Sequence, residues 1–382
     1  PVHSNCWDPM RSIAALKMLL HDRSTTAGAV LGVVAIVFLV GQQLSVLFGL
    51  FNYMSVLVDH SGADIWVCSK NTSNVNATGT LPVRYVDRIS GLQDVEWVEP
   101  VVFASGRFKR SDGQFQVVQV VGVRSPRLAL GPWRYYQKSP YALFDADGVT
   151  VDSLDLNILG GPEIDQFYEI SDTRVRISAI TRSIRGFSGT LVFTNMVKAK
   201  EIVNLAPGRC SAILIKLKPG ADAASGITAI RSLLPQAEVL SRAALSQLTR
   251  TYYIRNTGIG GSFGFSTLIG ALVGMVIIML TMYTSVLHRQ KEFAVLRALG
   301  ARKIDIFLIV LYQSLMIGIG GIFIGFLLLA FFLYSTHGSR LPSYMPQYVA
   351  CYHALGTLLL CLVASLFAMR KATSVDPASV FR

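Results

Sequence analysis

Four stretches of the chain hold no charged residue: 24–58, 256–287, 306–336 and 354–369, the last reaching back to 349 when His353 is neutral. Each supplies the roughly 20 apolar residues that a helix needs to cross a bilayer. The first two are long enough for about 50 Å of helix, against about 30 Å of hydrocarbon. Either those helices tilt strongly, or they continue beyond the membrane as a stalk, in which case helix is expected to run unbroken to around Val58. The first stretch is too long for a cleaved signal peptide and lacks a small-residue cleavage site.

Between the first two spans the pattern changes to mixed α and β. "ADIWVCSK" alternates as a strand does, and "PVRYVDRISGL" reads as a short helix with Pro82 in its first turn and Gly91 at its end. "VVFASGRFKRSDGQFQVVQVVGV" reads as two strands around a turn at Asp112–Gly113. "RVRISAI" and "GTLVFTN" are further strands, the second running into the helix "MVKAKEIVNL"; "SAILIKLKPG" precedes the helix "AASGITAIRSLL". Such strand-then-helix units predict two-layer α+β lobes. The glycine-rich stretch 256–264 suits a hinge where this domain meets its stalk.

Before the first span, "RSIAALKMLLHDRS" spaces Ile13, Leu16 and Leu20 along one face, with Arg11, Lys17 and Arg23 around them. It reads as a helix lying on the membrane surface, or else as a continuation of span one. The nine residues "PVHSNCWDP" read as a leader outside the folded protein.

A composition of 52% hydrophobic and 15% charged residues agrees with a membrane protein. The net charge of +12 suggests nucleic acid until its distribution is seen. Arg11, Lys17 and Arg23, then Arg289, Lys291, Arg297, Arg302 and Lys303, then Arg370, Lys371 and Arg382 lie on one side of the spans, whereas residues 335–348 carry Arg340 alone. This asymmetry places both termini and the 288–305 loop in the cytoplasm and speaks against a nucleic-acid partner. The expected fold is a four-span α-helical membrane domain with an α+β extracytoplasmic domain inserted between spans one and two. Its parts are a leader and amphipathic helix (1–23), span one with its stalk (24–58), the outer domain (59–255) and span two (256–287). A cytoplasmic loop (288–305), span three (306–336), span four (349–369) and a cytoplasmic tail (370–382) follow.

Candidate chemistry is sparse. No G-x-x-x-x-G-K-[ST], H-E-x-x-H or paired C-x-x-C occurs. The acidic run "DADGVTVDSLD" fixes no metal geometry, and spans one to three lack the charges of an ion relay. A catalytic role is not expected. Cys68 and Cys210, both in the outer segment, either pair or stay as thiols. Gly270 with Gly274, and Gly321 with Gly325, have the G-x-x-x-G spacing that lets helices approach closely, within one chain or between two.

The loop "HRQKEFAVLRALGARKIDI" is the most pointed feature. Glu292 to Leu299 forms helix well and Gly300 supplies a left-handed stop. Val295, Leu296 and Leu299 fall within about 100° of one another on a helical wheel. An apolar edge rimmed by Arg and Lys suits a docking surface for another protein, or a helix resting on lipid.

"KEFAVLRALGARKIDI" resembles the cytoplasmic loop of the FtsX-like permease superfamily, commonly R-E-I-G-x-L-R-A-L-G-A, through Glu292, Leu296, Arg297, Ala298, Leu299, Gly300 and Ala301. "IVLYQSLMIGIGGIFIGF", with Gln313, Gly321 and Gly325, resembles the family's third span; "KATSVDPASVFR" resembles its closing motif, with Pro377 and Arg382 kept and Phe381 for the usual Leu. Phe293 and Ala294 stand where Ile and Gly are usual. This is the class of MacB, LolC/LolE, FtsX and DevC, and "GADIWVCSK" and "GVTVDSLDLNILGG" look most like the DevC branch.

The resemblance implies a permease subunit of an ATP-driven ABC transporter of the mechanotransmission type. Its cargo would be amphiphilic: a lipid, glycolipid, lipoprotein, macrolide or haem-like molecule, exported or extracted across the inner membrane. No cofactor is implied on this chain; ATP and Mg belong to a separate ABC ATP-binding subunit. That subunit would be gripped by the coupling helix through Glu292, Val295, Leu296, Arg297, Ala298, Leu299 and Gly300. A second permease protomer, as a homodimer, a membrane-fusion adaptor and an outer-membrane channel complete the implied partners. The alternative within the family is a regulator that activates an extracytoplasmic cell-wall hydrolase and transports nothing.

Overall fold

The computed structural model describes residues 8–21, 23–124, 126–137, 140–298 and 300–372. The tail motif with Pro377 and Arg382, and Leu299 of the loop, lie outside the described residues. The helices are α1 (Asp8–His21), α2 (Arg23–Met54), α3 (Val56–Asp59), α4 (Tyr85–Ser90), α5 (Met196–Ile202) and α6 (Ala223–Leu233). They continue as α7 (Arg242–Asn256), α8 (Ile259–His288), α9 (Gln290–Ala298), α10 (Lys303–Thr336) and α11 (Gln347–Ala372). Contacts divide the chain into a membrane unit (1–49, 261–337 and 341–382) and an outer unit (50–260 and 338–340).

In the membrane unit, α2, α8, α10 and residues 347–367 of α11 are long and apolar enough to cross a bilayer. Their common core holds Val33, Ile36 and Val37 of α2, Ile278 and Met282 of α8, Ile309 and Ile317 of α10, and Ala364 of α11. Backbone carbonyls also serve as acceptors between helices: Ser314 Oγ donates to Cys361 O at 2.8 Å, and His353 Nε2 to Val37 O at 3.0 Å. Helix α1 packs Ala15 and Leu19 into this core, leaving Leu16 and Leu20 exposed.

The outer unit is built on one long sheet and a short two-stranded one; its strands begin with β1 (Ile65–Ser69), β2 (Leu81–Pro82), β3 (Val95–Lys109), β4 (Phe115–Val123) and β5 (Tyr135–Gln137). The strands continue with β6 (Gly148–Asp152), β7 (Phe167–Ile170), β8 (Thr173–Thr181), β9 (Arg185–Gly186), β10 (Gly189–Asn195), β11 (Arg209–Cys210), β12 (Ala212–Leu217) and β13 (Ala237–Ser241). The strand order is β13-β1-β12-β3-β4-β10-β6-β8-β5, with β7 on β3 and β8, β9 on β10, and β11 paired with β2 apart. Strand β3 spans both halves: Val95 to Val101 pair with β12, and Val102 to Lys109 with β4. Helices α4 and α6 cover one face of the first half around Ile65, Val67, Ile213 and Ile230, while α3 and α7 bring Leu57 and Leu245 to the other face, around Trp66.

Several sequence expectations change here. Pro82 belongs to β2, paired with Arg209, so the helix starts only at Tyr85. Helix α2 does not run unbroken to Val58: Ser55 leaves helical geometry at φ −116° and ψ 13°. Its hydroxyl donates to Asp59 at 2.7 Å while Arg250 of α7 donates to both, at 2.9 and 2.8 Å. The glycine-rich hinge narrows to Thr257 and Gly258, the latter at φ +74°, between α7 and α8. Cys68 and Cys210 are both free thiols. They sit on opposite faces of the sheet, Cys68 with Trp66 and Cys210 with Ile65 and Val67, so no bridge can form.

Candidate functional site

The loop between spans two and three is built by local rules. Helix α8 ends at His288, the chain turns at Arg289, and α9 begins at Gln290. At its far end the Gly300 N–H donates to Arg297 O and the Ala301 N–H to Leu296 O, both at 3.0 Å, with Gly300 at φ +100°. That pair of bonds is a Schellman cap, which uses the carbonyls the helix end leaves open. Two residues on, Asp305 Oδ2 accepts the Arg302 N–H at 2.8 Å and starts α10. Stop and start signals only a few residues apart let one helix finish and the next re-enter apolar surroundings.

What α9 presents follows from its anchor. Phe293 and Ala294 are buried, and Phe293 joins the membrane-unit core. Leu296 is half-buried and packed against the same core, whereas Val295 is 49% exposed. The exposed apolar edge read from the helical wheel is therefore reduced to Val295 among the described residues, because Phe293 sets the helix phase and turns Leu296 inward. Val295 and Leu296, with Lys291, Glu292, and Lys17 and Met18 from α1, line a hollow of about 500 Å³. Ala298 and Gly300 lie exposed at the C-terminal end and Arg297 is half-buried. The contribution of α1 was not legible in the loop motif.

The paired glycines meet α2 of the same chain. A Cβ on Gly321 would stand 2.5 Å from Val33 Cβ, and one on Gly325 2.6 Å from Val37 Cβ. A Cβ on Gly274 would also meet Ile36, closer still at its nearest atom, while Gly270 leaves 3.5 Å to Val40. Small residues therefore set the separation of α2 from α8 and from α10. Beside Gly270 and Gly274, α2 and α8 leave a groove of about 380 Å³, apolar except for Gln43 and Ser266.

Residues 25–233 match the MacB-like periplasmic core domain, which is more than half of the chain, and residues 264–377 match the FtsX-like permease C-terminal domain. The chain belongs to the MacB/FtsX family of permeases. As a family member it is a component of an ABC transporter, not an enzyme, and its relatives work with an ABC ATPase subunit. Among solved structures it is similar to the periplasmic region of MacB from Actinobacillus actinomycetemcomitans, at 9% identity and TM-score 0.36, over 49% of this chain and 92% of that one. It is also similar to the extracellular domain of the noncanonic ABC-type transporter YknZ from Gram-positive bacteria, at 7% identity and TM-score 0.35, over 47% of this chain and 98% of that one. No curated protein matches the chain. The four apolar helices with the α+β domain between the first two follow the MacB-like plan of a membrane protein with a large extracellular domain.

Proposed function

We propose that this permease exports an amphiphilic cargo, driven by a separate ABC ATP-binding subunit that α9 grips from the cytoplasm. The observation that carries the reading is the hollow around Val295: a short helix anchored by Phe293, capped at Gly300, and offering one exposed apolar side chain between Lys17, Lys291 and Glu292. An apolar contact rimmed by charge suits a protein partner better than a lipid surface. ATP and Mg would bind to that partner, and its closure would displace α9 together with the helices it is anchored to.

The membrane unit supports movement without a polar path. Among its described residues, close glycine contacts join α2 to α8 and α10, so these helices suit rigid-body motion. The apolar groove between α2 and α8 is in keeping with a cargo bearing a hydrocarbon portion. Two protomers acting as a homodimer, cytoplasmic termini as the basic clusters suggest, and a DevC-like partnership with a membrane-fusion adaptor complete the proposal.

The test is co-purification with candidate ABC ATP-binding subunits, followed by ATP hydrolysis of the complex. Val295→Glu should abolish the complex while the permease stays folded and inserted. Undiminished co-purification of the ATPase with that variant would overturn the docking role of α9.

A further inference from the structure

At and just beyond the end of β6 the outer unit holds two carboxylates that differ sharply in their surroundings. Asp152 is buried and saturated: Oδ1 accepts the Leu154 N–H at 3.0 Å, and Oδ2 accepts the Thr181 hydroxyl at 2.9 Å and the Ile184 N–H at 2.7 Å. Asp155 is equally buried, at 0% exposure, yet neither of its oxygens accepts a hydrogen bond. A carboxylate removed from water without donors is costly unless charge compensates it. Two guanidinium groups do so: Arg185 Nε lies 3.7 Å and Arg340 Nε 4.0 Å from Asp155 Oδ1.

Arg340 is far away in sequence. It is the only charged residue between 335 and 348, in the connection from α10 to α11. Residues 338–340 nevertheless count with the outer unit, while 337 and 341 count with the membrane helices. Gly338, at φ +78°, allows the turn. The seat of Arg340 is specific: its Nε donates to Leu154 O at 3.1 Å, and Arg185 Nη1 donates to the Arg340 carbonyl at 3.1 Å. Backbone and side chain of the same residue are thus both held.

We infer that Arg340 is a clasp that holds residues 338–340 within the outer unit by seating against buried Asp155. The side chain of Arg340 is 41% exposed, so water can take it over when the clasp opens, while Asp155 keeps Arg185 as its partner. A tie of that kind is reversible. The inference stands apart from the coupling role of α9, because it needs no ATPase and no cargo.

The experiment is hydrogen exchange by mass spectrometry on the full-length permease in lipid nanodiscs. Arg340→Ala should speed exchange in peptides covering 338–345 by about tenfold, with exchange in β3 and β4 unchanged. Asp155→Asn should loosen the same peptides, and the double variant should be no looser than either single one, as required of two residues sharing one interaction. Unchanged exchange at 338–345 in Arg340→Ala overturns the clasp, as do additive effects in the double variant. Should Asp155→Asn unfold the outer domain, the Arg340→Ala result alone decides, because that variant truncates a partly exposed side chain.

Discussion

Phe293 and Val295 stand two residues apart on α9 and face opposite surroundings: Phe293 is 1% exposed within the membrane-unit core, and Val295 is 49% exposed. One residue holds the helix in place and the other is offered outward. Phe293→Ala should therefore lower stability by about 3 kcal/mol or more through lost burial and the cavity left behind. Val295→Glu should leave the melting temperature within a degree or two, since exposed substitutions away from caps and cores change little. Thermal unfolding in detergent, read beside ATPase co-purification, separates the two roles. Leu296→Glu would blur them, because Leu296 packs against the core.

The glycine pairs yield a graded prediction. Gly321→Leu has to push α10 away from Val33 and should cost about 1–3 kcal/mol through overpacking, seen as a lower melting temperature. Gly270→Ala meets only ordinary contact with Val40 and should be tolerated. Equal effects of the two would contradict the close α2–α10 approach.

Gly300→Ala forces a side chain into the left-handed region at φ +100° and should cost about 1–2 kcal/mol. The expected sign is local: faster hydrogen exchange at Gly300 and Ala301, whose N–H groups close the Schellman cap, with the outer unit unaffected.

Lys198 gives the outer domain a defined pH dependence. Its Nζ lies 2.8 Å from both Asp147 and Glu201. Burial pulls the lysine pKa down, but the hydrogen bonds to the two carboxylates outweigh it and hold the group above its ordinary 10.5. The hydrogen bond from Lys198 in turn holds Asp147 below its ordinary 3.8. A lowered carboxylate gives stability that is present above its unfolded pKa and lost as pH falls through the folded one. A raised lysine gives stability that is present below its unfolded pKa and lost as pH rises through the folded one. Lys198→Gln should thus be less stable than the parent between those ranges, by under about 1 kcal/mol given the exposure of Asp147, and the gap should narrow at both extremes. Denaturant unfolding followed by Trp66, Trp97 and Trp133, all in the outer unit, measures it.

Cys68 and Cys210 should resist thiol reagents in the folded protein. Burial pushes Cys68 up to about 12 and Cys210 up to about 11, leaving little thiolate near neutrality. Both should label after denaturation without any reductant, and added reductant should leave the melting temperature unchanged.

The sequence by itself determined whatever depends on near neighbours. Uncharged runs set the four spans, apolar runs bounded by turn signals set β1, β3, β4, β8, β10 and β12, and Gly300 set where α9 stops, because periodicity and capping act within a turn or two of chain. Helix α7 and strands β6, β7 and β13 escaped that reading. Helix α7 is polar along most of its length, with only Leu245, Ser246, Thr249 and Tyr253 buried, and β6 spans only five residues within an acidic run. Tertiary structure alone decided that Phe293 rather than Leu296 anchors the loop, that Gly321 and Gly325 face α2, that Cys68 and Cys210 lie on opposite faces, and that Arg340 seats beside Asp155. Each of these joins residues distant along the chain, and which distant surfaces meet is settled by packing the whole core, not by any local pattern.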